Sequence, residues 1–163
     1  MSNRARSWHA LATLNARLLR NCFAEVSDTI AASRPSDRAN SMAFVAVHLV
    51  EARHFVATQI GGARQRPFGD RFDKITHVQQ VADFPPVVEI LRAWDVLSAE
   101  LDEALSHIDD GALDKPATHG FPLPIADTTV NGTLAFMFQH ESYHIGQLAL
   151  LRKLLGLDAM KYS

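Results

Sequence analysis

Four segments in which apolar residues recur every three or four positions leave this chain little choice of fold. The first spans about Ser7 to Ala32, with Leu11, Leu14, Leu18, Cys22, Val26 and Ile30 on one side. The second spans about Ala39 to Ile60, capped by Asn40 or Ser41, with Ser36 and Asp37 as a rival start, and ended by Gly61-Gly62. The third spans about Pro85 to Ile108, with Asp83 as expected cap and a single stripe of Val87, Ile90, Leu91, Trp94, Leu97, Leu101, Leu105 and Ile108. The fourth spans about Thr128 to Leu155, begun by Asp127 or Thr128 and stopped by Gly156. Each segment is long, each has one apolar side, and no alternating strand pattern accompanies them. That combination predicts an all-α four-helix bundle, in one domain of 163 residues. A chain of this length buries enough surface to need no disulfide staple.

Two long connections interrupt the helices. Residues 62–84 are polar and irregular; residues 109–127 hold three prolines and two glycines and leave room for a short extended pair. Loops of this length in a compact domain often carry function. The formal net charge of −2 offers no basic stripe, so no nucleic-acid partner is expected. The small cluster of Arg64, Arg66 and Arg71 reads as a solvated loop. With Cys22 as the one cysteine, an internal disulfide and a CxxC site are both excluded, and Cys22 reads as a small buried hydrophobe. The N-terminal run lacks a long apolar core, and no stretch is apolar enough to span a membrane. The expectation is therefore a cytoplasmic protein without a membrane partner.

Chemistry is concentrated in "FMFQHESYHIGQLALLRKLLG", Phe136 to Gly156, where His140 and His144 stand four residues apart on an apolar helix. At about 100° per residue the two lie about 40° apart, one turn from each other, with His144 near the stripe centre and His140 at its edge. On the second helix, Phe44, Val45, Ala52, Phe55 and Val56 define an inward face that includes His48. His54 falls about 140° away and should meet solvent. A lone buried histidine is usually a satisfied core residue, but three on facing helices carry a joint desolvation cost that a divalent ion would offset through their lone pairs. His48, His140 and His144 are thus the expected metal ligands, leaving open positions for chemistry. Zn²⁺ or Ni²⁺ is the first expectation; Fe²⁺ and Mn²⁺ also suit imidazole.

A rival metal site is spelled by two Glu-x-x-His motifs, Glu51 to His54 and Glu141 to His144, the pattern of di-iron carboxylate bundles. It would require inward carboxylates on the other helices. Glu25 could serve on the first, but Glu89, Glu100 and Glu103 all lie more than about 100° from the third helix's stripe. The rival also leaves His48 and His140 idle. Glu141 is then free to act as an acceptor for an imidazole N–H, as a general base, or simply as an interhelix hydrogen-bond partner. Arg152 could approach a substrate anion, though a surface ion pair is the simpler reading; Tyr143 lies off the inward stripe, and Trp94 and Phe138 read as core. His77 and His119 fall in the loops, His9 and His107 near helix ends.

The run "HESYHIGQLALLRKLLG", His140 to Gly156, resembles the C-terminal metal helix of the DinB-like family of four-helix bundles, with its His, acidic residue, second His, Gly-Gln and Leu/Arg-rich tail. "VAVHLVEARHF", Val45 to Phe55, resembles the family's second helix, which supplies the remaining histidine. The resemblance implies an up-down-down-up bundle, a divalent ion on His48, His140 and His144, and a homodimer. It also implies thiol-dependent chemistry on a small-molecule substrate: S-transfer from mycothiol, bacillithiol or glutathione, or a maleylpyruvate isomerase type of reaction, with the low-molecular-weight thiol as co-substrate. A non-catalytic, metal-binding stress-response bundle is the alternative. The family name does not imply a DNA-binding surface.

Overall fold

The computed structural model describes residues 2–62, 65–81, 83–119 and 121–162, and is all-helical. Its elements are α1 (Asn3–Cys22), α2 (Asp28–Ala32), α3 (Met42–Gln59), a short 3-10 turn (Val78–Gln80), α4 (Val87–His107), α5 (Asp110–Leu113) and α6 (Val130–Leu154). The four long helices form a bundle. α1 packs on α4 and α6, and α3 packs on the same two, which sets α1 opposite α3 and α4 opposite α6. Along these seams Trp8 meets Asn131, Asn15 meets Glu141 and Cys22 meets Ile145, while His9 meets Asp102 and Arg20 meets Asp95. Among the described residues there is no strand. The extended pair allowed for in the second connection is a single bridge between Pro116 and Thr129, and no helix is long and apolar enough to cross a membrane.

The first helix is shorter than its periodicity suggests. α1 stops at Cys22, the chain turns through Glu25 in the left-handed region (φ 61°), and α2 restarts behind Ser27, whose Oγ accepts from the Ile30 amide. The break is held from across the bundle: Arg152 on α6 donates to the Cys22 and Ala24 carbonyls, satisfying groups that a continued helix would have used. Arg152 is therefore buried and bonded to backbone carbonyls, not held in a surface ion pair.

The other helix starts follow capping chemistry with two surprises. Ser41 caps α3 through its Oγ, as one of the expected caps, the rival start at Ser36 and Asp37 is not used, and Gly61 (φ 76°) ends the helix. α4 is not capped by Asp83, which instead accepts from Arg71; the Val87 amide is taken by Asp28 Oδ1 from α2. α6 is capped by Thr129, one residue later than expected, because Asp127 Oδ1 accepts from the Thr129 amide and hydroxyl. Gly132 is needed there, since a Cβ would run into the Asp127 backbone carbonyl. One further turn, α5, forms inside the second connection under an Asp109 cap.

Two apolar clusters fill the bundle, one around Trp94, Leu49 and Leu148, the other around Leu105, Leu134 and Phe138. A polar layer built from all four long helices sits where they meet. Arg53 (α3) makes a two-pronged pair with Glu141 (α6), Nε to Oε1 at 2.9 Å and Nη2 to Oε2 at 2.7 Å, both side chains being wholly buried. Asn15 (α1) donates to Glu141, Ser98 (α4) accepts from Arg53, and the guanidinium lies 3.6 Å over the Trp94 ring.

Candidate metal centre

His48 comes from α3, and His140 and His144 from successive turns of α6. The inward stripe of α6 runs through Met137, Phe138, Glu141, Ile145 and Leu148, so the two histidines sit on its flank rather than at its centre. His48, expected on the inward face of its helix, is instead an exposed residue at the edge of α3, with buried Val47 and Leu49 on either side of it in sequence. The three rings meet in the seam between α3 and α6, open to one side, and not deep in the bundle.

Their Nε2 atoms converge: His48 to His140 is 3.0 Å and His140 to His144 is 3.1 Å. Among the described residues these three form the group of potential ligands, their donor atoms all within 4.8 Å of one another. Two metal–nitrogen bonds of about 2.1 Å at angles between octahedral and tetrahedral place their nitrogens roughly 3.0–3.4 Å apart, so the donor set fits a divalent ion. Hydrogen bonds among the rings fit less well. A ring nitrogen carries one proton or one lone pair, so His140 Nε2 can complete only one of its two short contacts, whereas a cation engages all three rings at once.

The surroundings prepare the lone pair of His144. His144 Nδ1 lies 2.7 Å from Gln147 Oε1 and must donate to it, which leaves Nε2 unprotonated in the neutral ring. Gln147 is itself oriented by donating to the Tyr143 hydroxyl. Burial is the main cause that holds all three imidazoles below their ordinary range. His48 is pushed down further by His144 and His140, and His140 by His144, while the Gln147 hydrogen bond opposes the shift at His144. At neutral pH the cluster is therefore an uncharged set of donors.

Beside the triad lies a cavity of about 460 Å³ with His48, His140 and Glu51 in its wall. Its remaining lining is apolar: Phe55, Phe136 and Met137 from the helices, Phe121 and Leu123 from the second long connection. A smaller pocket of about 80 Å³ on the other side of His48 is closed by Phe72 and Phe84 from the first connection. Both long loops thus wall the site, a role that no periodicity in their sequence announces.

Other singled-out residues go elsewhere. Glu141 is turned toward Arg53 and Asn15, so the interhelix role fits its contacts and the imidazole-acceptor and general-base roles do not. The di-iron reading loses Glu25 to the turn after α1, and no carboxylate joins the convergent group. His54 is half-buried rather than solvent-facing, but stands outside that group. His119 pins its loop, bonding to the Phe121 carbonyl at 2.6 Å and packing on Phe55; His77 is exposed. Arg66 and Arg71 are ion-paired, and Arg64 lies outside the described residues. Sequence reading overlooked Arg53 and Gln147. Arg53 was signalled only by its spacing, four residues after Leu49 and three before Val56, and Gln147 by standing one turn beyond His144.

A helical bundle whose α3 and α6 bring three imidazole nitrogens to one point is, by architecture and donor set, a candidate metal-binding bundle. The chain belongs to the DinB superfamily, whose model matches residues 10–148 and so includes all three histidines. No curated protein matches the chain.

Proposed function

We propose that the protein is a mononuclear divalent-metal enzyme of thiol-dependent type, a transferase or isomerase acting on a small electrophile, with His48, His140 and His144 as ligands. The observation that carries the reading is the convergence of three Nε2 atoms, with contacts of 3.0 and 3.1 Å, at the edge of an apolar cavity. Zn²⁺ or Ni²⁺ is the proposed ion, with Fe²⁺ and Mn²⁺ also compatible with imidazole. The bundle order is proposed to be up-down-down-up, in keeping with Trp8–Asn131 and Cys22–Ile145 pairing early with early and late with late, and His9–Asp102 and Arg20–Asp95 pairing the opposite way. A homodimer in the cytoplasm completes the proposal.

An ion held there supplies a Lewis acid that lowers the pKa of a coordinated thiol or water. The chain's own residues do the rest. Gln147 fixes the His144 tautomer, and the neutral state of the three rings keeps their lone pairs available. Phe55, Phe121, Phe136 and Met137 offer an apolar surface to the electrophile. The cavity favours this reading over a non-catalytic metal-binding bundle, which needs no space beside its open positions.

Metal content of protein purified without chelators, followed by conjugation assays of mycothiol, bacillithiol and glutathione with electrophiles, tests the proposal. One ion per chain, lost with activity in His48→Ala, His140→Ala and His144→Ala, is the expected result. Unchanged activity in these variants would overturn it.

A further inference from the structure

One buried acceptor beside the triad has no partner. Glu51 stands one helical turn after His48 and lines the cavities on both sides of it. Its Oε2 accepts from Arg66 Nε, whereas its Oε1 is buried and has no hydrogen-bond partner among the described residues. Arg66 cannot neutralise the group fully, because it is shared: its Nη1 pairs with Asp73 at 2.5 Å. Among the described residues, one guanidinium lies between these two carboxylates, an excess of one negative charge. The Glu51 side chain is only 16% exposed, so water screens that charge poorly. A buried carboxylate oxygen left without a donor costs free energy that a ligand bearing an N–H, or better an ammonium, would recover.

We propose that Glu51 is the specificity-determining residue of the cavity, selecting ligands that carry a cationic amine close to their metal-binding atom and an apolar body beyond it. The inference rests on the metal reading above and deepens it by naming a substrate class. Residues at i and i+3 of a helix present side chains about 5–6 Å apart, so the amine belongs within a few bonds of the atom that meets the metal. The apolar body would lie along Phe55, Phe121 and Phe136. Arg66 is a positioning residue: it holds one oxygen of Glu51 and thereby aims the other.

The test compares two probes of the same shape, phenylalaninethiol, with an ammonium beside its thiol, and phenylpropanethiol, which lacks it. Binding is read from the thiolate-to-cobalt absorption band of the Co²⁺-loaded protein. The wild type should bind phenylalaninethiol roughly tenfold or more tightly than phenylpropanethiol, as a charge-assisted hydrogen bond warrants. Glu51→Gln should abolish that preference while leaving Co²⁺ affinity and helical circular dichroism unchanged. Asp73→Asn, which removes the same charge without touching the free oxygen, should retain it. Equal affinities in the wild type, a preference that survives Glu51→Gln, or one lost equally in Asp73→Asn would overturn the proposal while leaving the metal reading intact. Failure of Co²⁺ to load, or loading unchanged in His48→Ala, would overturn both.

Discussion

Replacing Glu141 with Leu removes a carboxylate that two other helices depend on. Arg53 makes four hydrogen bonds, two of them to Glu141, one to Ser98 Oγ and one to the Ala12 carbonyl, and its side chain has no exposed surface. After Glu141→Leu the guanidinium keeps its charge, loses half of its hydrogen bonds and gains no water. Leaving one member of a buried pair uncompensated costs about 3–5 kcal/mol. For a chain of this size that lowers Tm by about 6–20 °C. Arg53→Met should cost about the same, by stranding the carboxylate with Asn15 alone. The double variant should cost far less than the sum. Its remaining penalty is chiefly the Asn15 amide, about 1–3 kcal/mol, since Ser98 Oγ still donates to the Trp94 carbonyl. Urea unfolding of the two single variants and the double gives the coupling energy directly. Metal uptake should remain at one ion per chain in every folded variant. A Glu141→Leu variant as stable as the wild type but defective in metal binding or turnover would refute the reasoning, as would strict additivity of the two substitutions.

Further outcomes follow from the same geometry. Zn²⁺ or Ni²⁺ at about 100 times its Kd should stabilise the protein by about 2.7 kcal/mol, or about 5–11 °C in Tm, and the gain should vanish in His140→Ala when read by thermal melting. In metal-free protein, burial holds the three imidazoles below the ordinary value of about 6.5 that they regain on unfolding, so the unfolded chain takes up protons first as pH falls. Stability is accordingly full above that value and is lost as pH drops toward the folded values; urea midpoints across this range should show a slope that flattens in His48→Gln, and an unchanged slope would contradict the assignment. The Cys22 thiol, pushed up to about 12 by burial, should resist Ellman's reagent in native protein at mildly alkaline pH and react once urea unfolds it. Rapid labelling of the native state would show that the end of α1 opens.

What the sequence made legible were features set by local spacing. The α4 stripe of Ile90, Trp94, Leu97, Leu101 and Leu105 is buried as its period implies, and Ser41 caps α3. His140 and His144 were paired by the helical repeat alone, and His48 by lying on the facing helix. What stayed hidden depends on partners distant in the chain. Nothing near Cys22 reveals that α1 must stop there, because the residue claiming its carbonyl is Arg152, and nothing near Val87 reveals that its amide is taken by Asp28. The cavity walls were invisible for a similar reason: Phe121 and Phe72 belong to loops without period, and only tertiary packing brings them to the histidines.

α6 shows how one helix serves two purposes that would otherwise conflict. Residues 140 and 141 are adjacent in sequence but point about 100° apart. That rotation sends Glu141 into the buried layer with Arg53, while His140 and His144 emerge on the flank toward α3 and the cavity. Stability is therefore anchored by groups that no incoming ligand touches. The three histidines stand at a half-open edge, reachable without opening the core. A functional site on the stripe centre would have had to open the packing of Phe138, Ile145 and Leu148 to admit a ligand. Placing His140 and His144 one residue aside removes that cost and keeps the two on one rigid helix, their Nε2 atoms 3.1 Å apart.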